Sequence, residues 1–330
     1  MTASLGPAIR SEIAPDNGSE WSDLTLSPEE YRGAARRYRA RVKSRAIGFL
    51  APYMILWFVF LAIPTGWAIF LSFNTGGIVD DRRFVGLGNW SRMFSDSELN
   101  RAVVNTSIYV VIAIGVVFVL AMSLAALLNR YRAGGNFFKL ALYFPLLAPP
   151  VLAAMIWFFL VHFDFGIFNL IQRTIFRGEG INFLGRNPNA LLTIIGVEVW
   201  RGLGFWVLFF LAGMQAVPGE LLDAARMDGA RRFRRFRRIT LPTLRPLLLF
   251  AIVIAVIFNF QLFDSVQALT QGGPALGTAT VVWFIFRRMF AFQDTGLAFA
   301  ASVGLLVVIL LLTLIAFRYL GDRRNQEGGA

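Results

Sequence analysis

Residues 46–79 run without one charged side chain, and residues 102–129 do so again. A helix needs about 20 consecutive apolar residues to cross the hydrocarbon core of a bilayer, so runs of this length leave few alternatives. Inside lipid only a helix or a closed barrel satisfies its own backbone, and long unbroken apolar runs fit the helix. The same clustering recurs along the chain. Six spans are predicted, at about residues 47–73, 102–129, 140–161, 190–216, 247–263 and 297–317. Residues 281–286 are too few to cross before Arg287 and Arg288 interrupt them, and read as a short helix lying at the interface. The predicted fold class is therefore an all-α membrane protein with six transmembrane helices and both termini on one side.

Composition agrees. Of 330 residues 56% are hydrophobic and 16% charged, against about 25% charged in a soluble domain, which excludes a soluble enzyme or soluble binding module. Residues 1–30 (Pro7, Pro15, Asn17, Gly18, Ser19) read as a disordered tail, followed by a basic stretch at 32–45. No secretory signal is expected, because the first apolar run starts only near Ile47 and is too long for a signal core. The expected organisation is a tail over 1–45, a six-helix domain over 46–320 containing a loop at 217–246, and a second tail over 321–330.

The net charge is +12, and all but two of the 32 basic residues are arginine, the lysines being Lys43 and Lys139. Cytoplasmic flanks of membrane proteins retain Lys and Arg. Eight basic residues precede the first span, three lie in the second loop, eight in the fourth loop and three after the last span, against four, three and two in the other loops. Both termini and loops two and four are thus expected on the cytoplasmic face.

The inventory for chemistry is short. Neither lysine follows a glycine, so there is no P-loop, and no Gly-x-Ser-x-Gly elbow occurs. The absence of cysteine removes thiolate ligands and thiol nucleophiles, and one histidine, His162, cannot build a histidine metal cluster. His162 reads as a local partner of Asp164. No catalytic residue, metal or bound cofactor is expected in this chain, and no nucleic acid as partner.

Loop four, VPGELLDAARMDGARRFRRFRRITLPTLRP, is the informative segment. Pro218 suits a first helical position, and Glu220 and Asp223 favour the positive end of the helix dipole. That helix is predicted to reach Asp228, with Gly229 breaking it. A second helix is predicted from Ala230 to Thr240, ending before Pro242. There Phe233, Phe236 and Ile239 form an apolar stripe among six arginines. Such a helix either rests on anionic membrane lipid or docks a cytoplasmic partner.

Asp223-Ala224-Ala225, Gly229 four residues later, and Ile239-Thr240-Leu241-Pro242 resemble the EAA loop in the membrane subunits of binding-protein-dependent ABC importers. The surrounding pattern resembles the sugar-permease branch related to the maltose and glycerol-3-phosphate systems. Further matching pieces are Phe84-Val85-Gly86-Leu87-Gly88-Asn89-Trp90, residues 143–150, Trp200-Arg201-Gly202-Leu203-Gly204-Phe205, Phe263-Asp264 and Leu269-Thr270-Gln271-Gly272-Gly273-Pro274. The family's usual glutamate is Asp223 here, one methylene shorter. The resemblance implies a type I ABC importer permease fold whose cytoplasmic helix-turn-helix loop is lodged in a separate nucleotide-binding subunit. It also implies a second homologous permease, two ABC ATPase subunits that use ATP and Mg, and an extracytoplasmic solute-binding protein or lipoprotein. The coupling residues would be Glu220, Asp223, Ala224, Ala225, Asp228, Gly229, Ile239, Leu241 and Pro242.

Within the spans, Glu198 and Arg201 share one helical face. They are either a mutually neutralising pair or part of a solute pathway. Asn259, Gln261 and Asp264 stand among Phe258, Phe260 and Phe263, a mixture that suits sugar hydroxyls and ring faces, though amides also bond helix to helix. Pro145, Pro149 and Pro150 predict a kink or break in the third span, made for a cavity or for packing. The reading is a carbohydrate-importing permease subunit; the rival is a membrane-embedded lipid-handling enzyme or scaffold with an anionic-lipid-binding arginine helix.

With no native cysteine, single cysteines report sidedness. A membrane-impermeant maleimide is expected to label Arg177→Cys in intact spheroplasts and Arg238→Cys only after the membrane is opened. Labelling of Arg238→Cys from outside would invert the topology.

Overall fold

The computed structural model describes residues 28–76, 82–130 and 135–321. The predicted tails fall largely outside the described residues. The chain divides into two compact units, 1–68 and 69–330.

The first unit holds α1 (Pro28–Trp57), a π-helical turn (Phe58–Ala62) and the start of α2 (Ile63–Leu71). The basic stretch expected as tail is therefore helical from Pro28 and continuous with the first span. The π turn has a local cause. Ile63 N donates to Phe58 O, five residues back, which widens the helix just before Pro64, whose ring would otherwise meet the carbonyl four residues earlier.

The second unit begins with a two-residue antiparallel ladder absent from the sequence reading, β1 (Asn74–Thr75) against β2 (Arg83–Phe84), with Asn74 opposite Phe84. Then come α3 (Gly88–Ser95), α4 (Ser97–Arg130), α5 (Gly135–Leu147), α6 (Pro150–Val161), α7 (Ile167–Thr174) and α8 (Asn189–Gln215). The loop region holds α9 (Gly219–Met227), α10 (Arg232–Arg235), a π turn (Phe236–Thr240) and α11 (Leu241–Thr243). The remainder is α12 (Arg245–Phe260), α13 (Asp264–Leu269), α14 (Val281–Phe286) running into a π turn (Arg287–Ala291), and α15 (Thr295–Gly321).

Among the described residues five helical stretches are long and apolar enough to cross a membrane: Val42–Leu71, Ser97–Arg130, Asn189–Gln215, Arg245–Leu269 and Thr295–Arg318. The third predicted span is instead a pair, Gly135–Leu147 and Pro150–Val161, bent by 98°. Pro149 (ψ 138°) cannot continue α5 and disfavours helix at Ala148, while Pro150 is well placed to start α6. Pro145 stays inside α5. Of the three prolines, only the adjacent two make the break.

The most extensive contact is α4 against α8. On α4 the buried positions Ala102, Thr106, Tyr109, Ala113, Val117, Ala121 and Ala125 recur every third or fourth residue, a single stripe dominated by small side chains. Lipid tails are as apolar as leucine, so membrane helices associate through close packing of such residues. α5 crosses α8 at Gly204, where an added Cβ would run into the Leu142 carbonyl.

At the end of the bundle opposite residues 217–246, asparagines hold the connections. Buried Asn89 donates through Nδ2 to Ser72 O (3.0 Å) and Asn74 O (2.7 Å). Asn105 donates to Leu276 O and Ala279 O, and buried Asn169 bridges His162 O and Ile181. α14 is a short helix, as predicted, and it is packed into the protein. Its Val281, Trp283 and Phe284 are buried, and Arg287 and Arg288 pair with Glu98 (2.7 and 3.0 Å) and Asp96 (2.9 Å) at the start of α4. The arginines that made the segment look like a surface helix fasten it to the protein.

Gly204→Ala is expected to cost about 1–3 kcal/mol through backbone overlap and to lower the thermal unfolding midpoint of the solubilised protein. Gly202→Ala, whose new Cβ would meet only Trp206 Cδ1 at 4.0 Å, leaves that midpoint in place.

Candidate functional site

Charge inside a membrane helix is retained where it is paired or faces water. On α8 the i,i+3 spacing joins Arg201 Nη2 to Glu198 Oε2 at 2.7 Å, with the Glu198 side chain 9% and the Arg201 side chain 23% exposed. The second carboxylate oxygen, Oε1, accepts from Ser265 Oγ in α13. A desolvated ion pair is tolerated when such additional bonds satisfy its remaining lone pairs. Arg201 Nε, by contrast, is buried without a hydrogen-bond partner among the described residues.

This pair borders a cavity of about 450 Å³. Tyr109 and Ala113 of α4, Leu146 of α5, and Phe205 and Trp206 of α8 form one part of its wall. Phe258 and Asn259 of α12, with Gln261, Phe263 and Asp264 at the turn into α13, form another. The five pathway candidates, Glu198, Arg201, Asn259, Gln261 and Asp264, are thus brought to one cavity. Asn259 Nδ2 donates to its own helix at Ala255 O (2.7 Å). The Asp264 side chain has no hydrogen-bond or ion-pair partner among the described residues. Both readings of Glu198 and Arg201 hold together, because a neutralising pair can also line a cavity.

Sequence reasoning missed Tyr109, Trp206 and Ser265. Tyr109 was the most visible of them, a phenol next to Thr106 and Ser107 in an otherwise aliphatic span. Ser265 carried no signal of its own, since its role depends on α13 packing near α8.

The loop at 217–246 is built differently from the two separate helices expected. α9 starts after Pro218 (ψ 127°), which flanks the helix and does not occupy its first turn. It ends in a Schellman motif: Gly229 N donates to Arg226 O (3.0 Å) and Ala230 N to Ala225 O (2.9 Å), with Gly229 at φ +71°. Asp223 pairs with Arg226 at 2.6 Å on the surface. Ala225 is buried, while Leu221 and Met227 are exposed, an apolar outward face the sequence reading had not singled out.

The second helix begins at Arg232, two residues later than predicted, and does not stop before Pro242. Leu241 N donates to Phe236 O across a π turn, the device seen before Pro64, so α10, α11 and α12 follow one another through Leu244 with little break. The π turn also splits the expected stripe. Phe236 packs against the core and Ile239 is half-buried, but Phe233 is exposed. Near His162 the histidine stacks on Phe165 (3.7 Å between ring centroids), and its Nδ1 lies 3.9 Å from Asp164.

Residues 115–326 match the family described as the binding-protein-dependent transport system inner membrane component. The chain belongs to that family. It is a membrane transport component, not an enzyme, which sets aside the lipid-handling alternative. It is 32% identical to the sn-glycerol-3-phosphate transport system permease protein UgpA of Agrobacterium fabrum, over 83% of this chain and 94% of the relative. It is 28% identical to the trehalose/maltose transport system permease protein MalF of Thermococcus litoralis, over 87% and 98%. Among solved structures, a bacterial ABC transporter involved in import of the acidic polysaccharide alginate superposes with TM-score 0.75 at 22% identity, covering 88% of this chain and 99% of that one. A bacterial alginate ABC transporter in complex with a pentasaccharide-bound periplasmic protein gives 0.76 at 20%, over 87% and 96%. These structures share the all-α importer permease fold. Among the described residues no group of His, Cys, Asp or Glu is arranged to hold a metal.

Glu198→Ala leaves Arg201 desolvated without its carboxylate, a loss of about 3 kcal/mol. The double variant Glu198→Ala/Arg201→Ala should recover much of it. Thermal unfolding of the solubilised subunit checks this, and equal losses for single and double variants would show the pair to be unimportant for stability.

Proposed function

We propose that this chain is the membrane-spanning subunit of an ABC importer that carries a carbohydrate into the cell, a class that includes sugars, oligosaccharides and related polyols or glycerophosphodiesters. ATP is hydrolysed, with Mg, on two separate cytoplasmic ATPase subunits. A second homologous permease completes the membrane part, and an extracytoplasmic solute-binding protein or lipoprotein delivers the solute. Both termini and loops two and four face the cytoplasm, in keeping with the arginine distribution.

One observation carries the reading: the two helices that enter and leave the loop at 217–246 both wall the cavity. α8 places Glu198, Arg201, Phe205 and Trp206 there and then runs through Ala216 and Val217 into α9, while α12 leaves the loop and presents Phe258 and Asn259. A displacement of the loop is thus delivered to two walls at once. Aromatic rings beside amides and carboxylates suit the apolar faces and hydroxyl edges of a sugar. The names of the relatives, for glycerol-3-phosphate and for trehalose/maltose, point to the same class of solute.

In this mechanism α9 is the docking element. Leu221, Ala224 and Met227 supply its apolar contact, Glu220, Asp223 and Asp228 its charge, and buried Ala225 holds it to the rest of the loop. Ile239, Leu241 and Pro242 lie where α10 passes into α12. Closure of the ATPase pair moves α9 as a capped unit, and the near-continuous helix from Arg232 transmits that motion, tilting the walls between inward-open and outward-open states.

Proline cannot adopt the φ of +71° at Gly229. In proteoliposomes of the full complex, Gly229→Pro is expected to abolish solute uptake, either by uncoupling ATP hydrolysis or by releasing the ATPases. Normal uptake with ATPases still bound would overturn the role of the loop.

A further inference from the structure

We propose that this chain's side of the cavity selects uncharged polyhydroxy solutes and discriminates against those carrying a phosphate or carboxylate, with Asp264 as the residue that sets the selection. The inference rests on the carbohydrate reading and narrows it.

The side chains lining the cavity with a formal charge are Glu198, Arg201 and Asp264. The first two cancel one another at 2.7 Å. Asp264 has no partner among the described residues, so this wall is one charge negative. Asp264 borders the cavity of about 450 Å³ beside Phe205, Trp206, Phe258 and Phe263, so its charge acts on a solute held there. An incoming anion meets that repulsion.

Arg201 offers an anion little relief. Its Nη2 is engaged by Glu198, and taking the guanidinium away would strand the carboxylate of a side chain that is only 9% exposed, which is a costly state. Ser265 holds the carboxylate from its other side, so Glu198 and Ser265 are positioning residues that keep the Arg201 charge neutralised. A neutral hydroxyl fits the same wall. It donates to the Asp264 carboxylate. A hydroxyl carries a donor, whereas a phosphate dianion has acceptors only.

The test compares solutes that differ in a single group. The assembled permease and ATPase complex, without its solute-binding protein, is titrated in nanodiscs with a panel of mono- and disaccharides and with the phosphate ester of each. Binding is read by tryptophan fluorescence, for which Trp206 in the wall is the reporter. The uncharged parent is expected to bind about tenfold more tightly than its phosphate, the scale of one unit-charge repulsion across such a site. Asp264→Asn narrows that ratio toward one, and Asp264→Glu keeps it. Because each ratio is taken within one protein, partial loss of folded material does not alter it. A phosphate ester that binds wild type as tightly as its parent would overturn the charge selection and leave the carbohydrate reading standing. An unchanged ratio in Asp264→Asn would overturn the role of Asp264. If neither parent nor ester binds across the panel, the carbohydrate reading fails and this inference with it.

Discussion

The seam between α4 and α8 is the contact on which the rest of the second unit depends. In lipid there is no water to drive apolar faces together, so adhesion between helices has to come from close approach. α4 supplies Ala102, Ala113, Ala121 and Ala125 along one stripe, each buried, and α8 brings Val197, Val207, Phe210 and Met214 against them. Gly204 then lets α5 cross α8 at backbone distance. With α8 held on two sides, its Glu198 and Arg201 have a defined place, and its far end hands a fixed direction to the loop at 217–246.

Arginine does three jobs in this chain, and the surroundings decide which. Arg287 and Arg288 meet Asp96 and Glu98 and lie over Phe284 and Phe292, so they fasten α14 and its π turn to the start of α4. Arg201 is neutralised within the bundle by one carboxylate that is itself held by a serine. In the loop, Arg226 pairs with Asp223, while the run from Arg231 to Arg238 has no comparable ion pair among the described residues. Net positive charge therefore collects at the loop.

The spans were legible because hydrophobic length is a local property. The helices Ser97–Arg130, Asn189–Gln215 and Thr295–Gly321 contain or closely match the apolar runs at 102–129, 190–216 and 297–317. What single residues left open was geometry. Three prolines near 145–150 predicted a kink or break, and the third span is broken there, but nothing local told that Pro145 stays within a helix while Pro149 and Pro150 turn the chain by 98°. Pro242 read as a stop, but a π turn one residue earlier lets the helix pass it, as another does before Pro64. The two arginines after Val281–Phe286 have acidic partners almost 200 residues earlier in the chain, a pairing no local pattern showed.

The sequence by itself determined the membrane class, the uneven distribution of arginine along the chain and the position of the arginine-rich loop at 217–246. These follow from composition, from hydrophobic length and from motifs whose residues are neighbours in the chain. Only the tertiary structure decided that Glu198, Arg201, Asn259, Gln261 and Asp264 share one cavity with Tyr109 and Trp206, and that Ser265 completes the charge pair. Those relations join side chains from α4, α8, α12 and α13, and the distances between them are set by helix packing, which no local pattern of residues encodes.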